Sequence, residues 1–418
     1  MKRLALVMLV MSCCAAIYST APAQEMVVVG TIFDHTGALK EWGPGFRDAA
    51  ELAAKQMVSA GFTIQFIHED SGTSADKAGK AAKKLIEQDK VSAIVGSASS
   101  GVIVPVAESV TCPNNMLMIS PGATSVFITT LPADKEKDFL FRTCPSDALQ
   151  GVALGMLAAG LYKTASVMYV NNPYGKGLAI QFKKSFEKRG GTVLAMIPHA
   201  EKVAESYHAE LTEALQKIYL TKPFRPGKPD VLCVFSYPEH AKIYVKEAIN
   251  RFKCEDFLFC DGTRSEEMAA VVGAESLEGM MGTAPGTAGG LPFGNFVADY
   301  KSTYGALPRV PFIANTYDAT ALIGLAAYAA KAEDLALTSK NIRDRLRYIA
   351  NPPGTLIGPG EFDLAFELLK RGKDINYEGA SGPVNFDRNG DVIAPIELWR
   401  FSNGEIVTYR MEYQIPEE

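Results

Sequence analysis

Two turns in this chain carry hydroxyl groups directly behind apolar runs. Ser97-Ala98-Ser99-Ser100-Gly101 follows Val91-Ser92-Ala93-Ile94-Val95-Gly96, and Pro121-Gly122-Ala123-Thr124 follows Leu117-Met118-Ile119-Ser120. The apolar runs read as buried strands and the turns as strand ends. In a parallel sheet, neighbouring carboxyl ends border the ligand crevice, and free amides at a following helix N-terminus attract carboxylate or phosphate oxygens. The chemistry on offer is recognition of a small anionic group. Capping and turn preferences alone would also place Ser, Thr and Gly here, so neither turn defines a site by itself.

Catalytic constellations are harder to find. Ser97 to Gly101 lacks the G-x-S-x-G of a nucleophile elbow, because Ser97 stands two positions before Ser99. The histidines, His35, His68, His199, His208 and His240, show no metal-ligand spacing. There is no Walker loop and no dinucleotide fingerprint. An exported serine hydrolase remains the rival reading from the enzyme class, since a serine and a histidine can meet in space from any sequence positions.

The elements that must hold the turns alternate along the chain. Strand patterns at 27–33, 63–68, 93–95, 116–119, 166–170, 192–197, 231–235 and 257–259 are interleaved with helical patterns at 46–59, 75–88, 178–188 and 240–252. Such alternation predicts right-handed βαβ units and parallel sheets covered on both faces. It falls into two blocks, ending near 141–146 and 279–283, so the expected fold class is α/β with two doubly wound parallel-sheet domains. A helix-rich stretch follows, strongly alanine- and leucine-rich over 320–332. The segments 217–230 and 351–377, rich in Pro, Gly and charge, read as surface loops. In the tail, Asn389-Gly390 and Asn403-Gly404 are tight-hairpin signals.

At the N-terminus, Lys2-Arg3, an apolar core over 4–11 and Ala21-Pro22-Ala23 form a secretory signal pattern covering residues 1–23. Cys13 and Cys14 offer a lipoprotein alternative, poorly supported by the preceding Val10-Met11-Ser12. The formal net charge of −5 with scattered basic residues argues against nucleic acid as a partner. Five cysteines follow the signal, an odd number. Cys254 and Cys260 flank a strand that would hold them ~20 Å apart, too far for a disulfide.

With these residues in view, the chain resembles the leucine/isoleucine/valine-binding family of periplasmic solute-binding proteins of type I fold, which serve ABC importers. The resemblance rests on Gly30 with Thr36-Gly37, Trp42-Gly43, Ile119-Ser120-Pro121-Gly122-Ala123-Thr124, Tyr174-Gly175-Lys176-Gly177, Tyr317-Asp318-Ala319 and the stretch 379–390, taken in order and spacing. It implies two lobes, 24–143 with 284–378 and 144–283 with 379–418, joined by a three-strand hinge near 143–146, 279–284 and 379–383. The lobes would close over an amino acid without chemical turnover, cofactor or metal. Carried over by position, Ser100 and Thr124 would hold the α-carboxylate, and the Gly122 carbonyl and Asp261 the ammonium. Tyr174 would cap the ligand, while Trp42 and Tyr237 would border its side chain. Asp261, in Cys260-Asp261-Gly262, replaces the family's usual glutamate and is one methylene shorter. The implied partner is an inner-membrane ABC permease, the implied location the periplasm, and the protein a monomer. A sensor of the same fold, docking on a signalling partner, is the alternative within this class. N-terminal mass analysis of the exported protein should find Gln24 as its first residue, and a diacylated Cys13 would overturn the signal-peptide reading.

Overall fold

The computed structural model describes residues 26–216, 219–220 and 226–416, so the expected signal segment and part of 217–230 lie outside them. One sheet is built from β1 (Met26–Phe33), β2 (Thr63–Asp70), β3 (Ala93–Gly96), β4 (Met118–Ser120) and β5 (Leu140–Arg142), all parallel in the order β2-β1-β3-β4-β5. The second contains β6 (Thr164–Val170), β7 (Thr192–His199), β8 (Val231–Phe235), β9 (Phe257–Phe259), β10 (Met281–Pro285), β11 (Ile396–Ser402) and β12 (Glu405–Glu412). Their order is β12-β11-β10-β9-β8-β6-β7, with β11 antiparallel to both of its neighbours, β10 and β12.

The two sheets share one topology. In each, the second strand of the block returns to one side of the first and all later strands to the other, so each sheet has a switch point, between β1 and β3 and between β6 and β8. Ligands bind at such points because the loops part in opposite directions and leave a crevice. β3 and β8 are buried along their whole length, as strands covered on both faces must be.

The apolar interior follows the layers. Ile32, Leu85, Ile94, Val106 and Met118 pack on one face of the first sheet, and Phe257, Phe259, Trp399 and Phe401 in the second lobe. A larger cluster runs from the other face of the first sheet through Trp42 and Phe312 to Tyr174 and Tyr237, so apolar contact is continuous between lobes.

Two hinge positions differ from expectation. The first crossing lies at 143–146, where Thr143 and Asn315 exchange hydrogen bonds of 2.8 and 2.6 Å. The second falls after Pro285, at 286–289, because β10 stays paired with β11 through that residue. The third falls at 392–395 instead of 379–383. Residues 380–391 remain on the first lobe: Ala380 N and Ser381 N donate to the Asp318 carboxylate at 2.7 and 2.8 Å, and Phe386 packs on Phe141. The glycines at 379–383 looked like a break, yet Gly379 is there for close approach, since a Cβ would come within 2.5 Å of Asp318 Oδ2. The segment 351–377 is no plain loop either. It holds a helix, Phe362–Lys370, whose Phe366 stacks on Tyr328, between the paired strands Thr355–Ile357 and Ile375–Tyr377. Asn403-Gly404 does close the β11–β12 hairpin with positive φ at both positions, whereas Asn389-Gly390 makes a turn outside any strand pair. Cys112, Cys144, Cys233, Cys254 and Cys260 are all free thiols.

Arg142, at the end of β5, is fully buried. Its guanidinium takes both oxygens of Asp391 at 2.7 and 2.8 Å, the Thr129 hydroxyl, and the carbonyls of Ala123 and Ser125. Removing one partner of a buried pair strands the other. Arg142→Met should lower unfolding stability by about 3–5 kcal/mol, read as the shift in denaturant midpoint, and an unchanged midpoint would contradict the role given to this side chain.

Candidate functional site

The switch-point loops of the two sheets face one another. From the first lobe come Trp42, capping the helix Gly43–Ser59; Ser100, opening the helix Ser100–Val106; and the turn 121–125. The second lobe contributes Asn172 and Tyr174 at the start of the helix Pro173–Lys188, Tyr237 before the helix Pro238–Phe252, and Asp261 after β9. Each helix start is set by local chemistry: Asn172 Oδ1 accepts from Gly175 N at 3.1 Å, and Pro173 and Pro238 occupy first-turn positions where no N–H is needed.

Within the first lobe the two hydroxyl turns are tied together. Ser120 Oγ donates to the Ser97 carbonyl at 2.7 Å and accepts from Ala123 N at 2.9 Å, while Ser100 Oγ accepts from Ser125 N at 3.2 Å. Across the cleft, Ser99 Oγ and Tyr237 OH lie 2.9 Å apart, and Ser125 Oγ donates to the Pro173 carbonyl at 2.8 Å. Tyr174 and Tyr237 stack with centroids 5.5 Å apart. Tyr174 OH donates to Asp261 Oδ1 at 2.6 Å and accepts from Gly262 N at 3.1 Å; Gln150 Nε2 donates to the same carboxylate oxygen at 2.8 Å. Gly262 makes this approach possible, for a Cβ there would lie 2.7 Å from the Tyr174 hydroxyl oxygen.

Trp42, Ser100, Gly122, Tyr174, Tyr237 and Asp261 line one cavity between the lobes, with Leu39, Ala98 and Gly262, and its volume is about 10 Å³. Thr124 sits behind it, buried, with its hydroxyl beside the Asp147 carboxyl, whose pKa it lowers. Sequence reasoning missed Asp147 and Gln150, which occupy the first turn of the helix Asp147–Leu161 and are both fully buried. Their i, i+3 spacing places them on one helix face, and that was the available signal. It also missed Asp34, which accepts from Ser71 Oγ at 2.6 Å behind the cleft.

Burial dominates the electrostatics. It raises the Asp261 carboxyl to about 6 against the opposing hydrogen bonds from Tyr174 and Gln150, and raises Asp34 to about 6 as well. Asp147 is pushed well above the usual carboxylate range, by burial first and by Asp261 second. At the cleft mouth, Lys242 of the second lobe meets Glu239 at 2.9 Å, Glu41 of the first lobe at 3.8 Å, and Glu267. Lys40 reaches across to Glu239 at 3.1 Å, and Ser265 Oγ donates to Glu41 at 2.7 Å. Among the described residues, no cluster of three or more His, Cys, Asp or Glu side chains has the arrangement to hold a metal ion.

Residues 26–396 match the sequence profile of the periplasmic binding protein family. The chain belongs to that family. It is 25% identical over 328 residues to the chemotactic signal transduction system substrate-binding protein BasB of Halobacterium salinarum, an alignment covering 76% of this chain and 72% of that one. Its fold matches the substrate-binding protein LivJ of Streptococcus pneumoniae in complex with isoleucine, with a TM-score of 0.73, 22% identity, and coverage of 94% and 100% of the two chains. It matches equally, at a TM-score of 0.73 and 17% identity, a solute-binding protein of R. palustris in complex with benzoate, over 94% of this chain and 98% of that one. The fold is the type I periplasmic binding protein fold, and the family's work is binding, not catalysis.

A serine and two histidines of this binding protein do meet, without the carboxylate of a hydrolase triad. Ser236 Oγ lies 2.8 Å from His199 Nε2 and 3.1 Å from His240 Nδ1, but the far ring nitrogens face the carbonyls of Ala200 and Glu201, not a carboxylate. The trio is buried, and burial lowers the two histidines to about 3 and about 4. The charged mouth makes a separate prediction. Lys242→Met leaves Glu41, Glu239 and Glu267 facing one another without their shared cation, and should loosen the closed form by about 1 kcal/mol. X-ray scattering should then give a larger radius of gyration for the ligand-free variant than for the wild type; an identical radius would show that this network does not hold the lobes.

Proposed function

We propose that this protein captures a small amino acid of the branched-chain or hydrophobic kind between its lobes and delivers it to an inner-membrane ABC permease. The observation that carries the reading is the opposition, around one aromatic-lined cavity, of two hydroxyl-and-amide turns from one lobe and a buried carboxylate from the other. Ser100 and Thr124 take the α-carboxylate with hydroxyl and backbone N–H groups. The Gly122 carbonyl and Asp261 take the ammonium, Tyr174 caps the ligand, and Trp42 and Tyr237 border its side chain. A cavity of about 10 Å³ admits no more than one water, so the ligand enters with the lobes apart and is enclosed as they rotate about the three crossings.

Similarity to BasB, a chemotactic binding protein, favours a second reading in which the closed form docks on a signalling partner. Both readings share the cleft. Affinity capture with the ligand-loaded protein separates them: recovery of a permease supports import, and recovery of a transducer supports sensing.

Leucine, isoleucine and valine should each raise the thermal midpoint, since a ligand at a hundredfold excess over its dissociation constant adds about 2.7 kcal/mol of apparent stability. Asp261→Ala leaves the buried ammonium unpaired and should weaken binding by on the order of 2–5 kcal/mol in calorimetry, with the fold intact by circular dichroism. No midpoint shift with any of the three amino acids would overturn the reading.

A further inference from the structure

A second, larger space lies between the lobes beside the second crossing. Its apolar walls include Phe293, Phe296, Leu307 and Val310 from the first lobe and Pro285 and Met411 from the second, and its volume is about 280 Å³. An apolar cavity of about 150 Å³ is enough to hold benzene. Phe312 is also part of this wall. The same ring packs on Trp42 with centroids 5.6 Å apart, and a Cβ on Gly122 would lie 3.0 Å from it, so the chamber adjoins the central cavity that Trp42 and Gly122 line. Phe312 keeps this place on a backbone with φ of +68°, the left-handed region, which is unfavourable for a bulky side chain and recurs at ligand sites.

Two charged side chains share the chamber wall. Arg264, three residues past Asp261, donates from Nη1 to the Arg309 carbonyl at 2.9 Å, and its Nη2 approaches both oxygens of Glu397 at 3.4 Å. Its Nε is buried and has no hydrogen-bond partner. Glu397, on β11, also accepts from Thr408 Oγ1 at 2.5 Å. The Arg309 guanidinium is taken by Glu266 and Glu405 at 2.8 and 3.0 Å. Every charge here already has an opposite neighbour, so an ion entering the chamber would bring an unmatched charge into a largely apolar space, which is strongly unfavourable. What lacks a partner is one N–H donor, next to a carboxylate with room for one more hydrogen bond. A hydroxyl answers both, because it accepts and donates at once.

We propose that this chamber is a second ligand site, separate from the central cavity, for a small uncharged aromatic molecule that carries a hydroxyl group. The hydroxyl accepts from Arg264 Nε and donates to Glu397, while the ring lies among Phe293, Phe296 and Phe312, whose edges and faces suit another aromatic. The site goes beyond amino-acid capture and does not depend on which molecule the central cavity holds. Because its walls come from both lobes, a bound ring favours the arrangement in which the lobes are together.

Calorimetry with 4-methylphenol, and with toluene as the same shape without the hydroxyl, tests this. Wild type should bind 4-methylphenol about tenfold more tightly than toluene, as hydrogen bonds to charged groups imply. Equal affinity for the two would overturn the proposal, and so would equal affinity for the anion 4-methylbenzoate. Arg264→Lys keeps a cation beside Glu397 but loses the Nε donor, and should bring 4-methylphenol down to the level of toluene. Val310→Trp fills the chamber and should abolish binding with circular dichroism unchanged; undiminished binding in that variant would place the ring elsewhere and overturn the site. Should either variant not fold, NMR on the wild type decides the matter: magnetisation transfer from the ring protons of 4-methylphenol to the methyl groups of Leu307 and Val310 is expected, and its absence with the ligand bound overturns the proposal. No heat with 4-methylphenol would sink this inference alone, since capture of an amino acid is judged by leucine, isoleucine and valine.

Discussion

Much of this molecule hangs on one buried cation. Arg142 ends the strand nearest the first crossing, and its guanidinium grips the carbonyls on either side of Thr124 while pairing with Asp391 from the far end of the chain. The turn expected to meet a ligand is therefore not a free loop. Its geometry is fixed by a planar, multidentate donor that lysine could not replace. The same contact holds residues 383–391 against the first lobe and so sets where the last crossing begins. A single side chain thus couples the binding turn to the hinge.

Around that fixed point the two lobes present different chemistry. The first offers hydroxyls and amides arranged by mutual hydrogen bonds; the second offers stacked aromatic rings and acid. Asp147 and Asp261 are both buried in this arrangement, and burial raises each of their carboxyls, while the mouth is drawn together by Lys242 and its three glutamates. Favourable pairing at the rim is opposed by the cost of burying acids at the centre. Such opposition suits a hinge that must open and close, since a ligand shifts the balance only by as much as it interacts differently with the two states.

The fold was legible because it is written in short-range patterns. Alternating apolar runs and amphipathic stretches announced parallel α/β blocks, and the Asn403-Gly404 pair announced its hairpin. The hinge positions were less legible. Gly379 and Gly382 look like a linker to any composition argument, but they lie against Asp318 and Ala288, and that contact exists only once the chain has folded back. The segment 351–377 misled for the related reason that proline, glycine and charge at its ends concealed an apolar helix face, Phe362 and Phe366, directed at a distant core.

At the site, the sequence by itself determined which residue types could stand at the strand ends: Ser100, Gly122 and Thr124 in one block, Tyr174, Tyr237 and Asp261 in the other, each following an apolar run that had to be a buried strand. Tertiary structure alone decided how they face one another, because the distances between the blocks depend on two sheets meeting at their switch points and on crossings of a few residues each. It also decided the charge state. Asp147 is an ordinary helix-start acid in the sequence, and in the folded chain it is fully buried, with burial pushing its carboxyl well above the usual range. Residue identity is local, whereas desolvation is a property of everything packed around it.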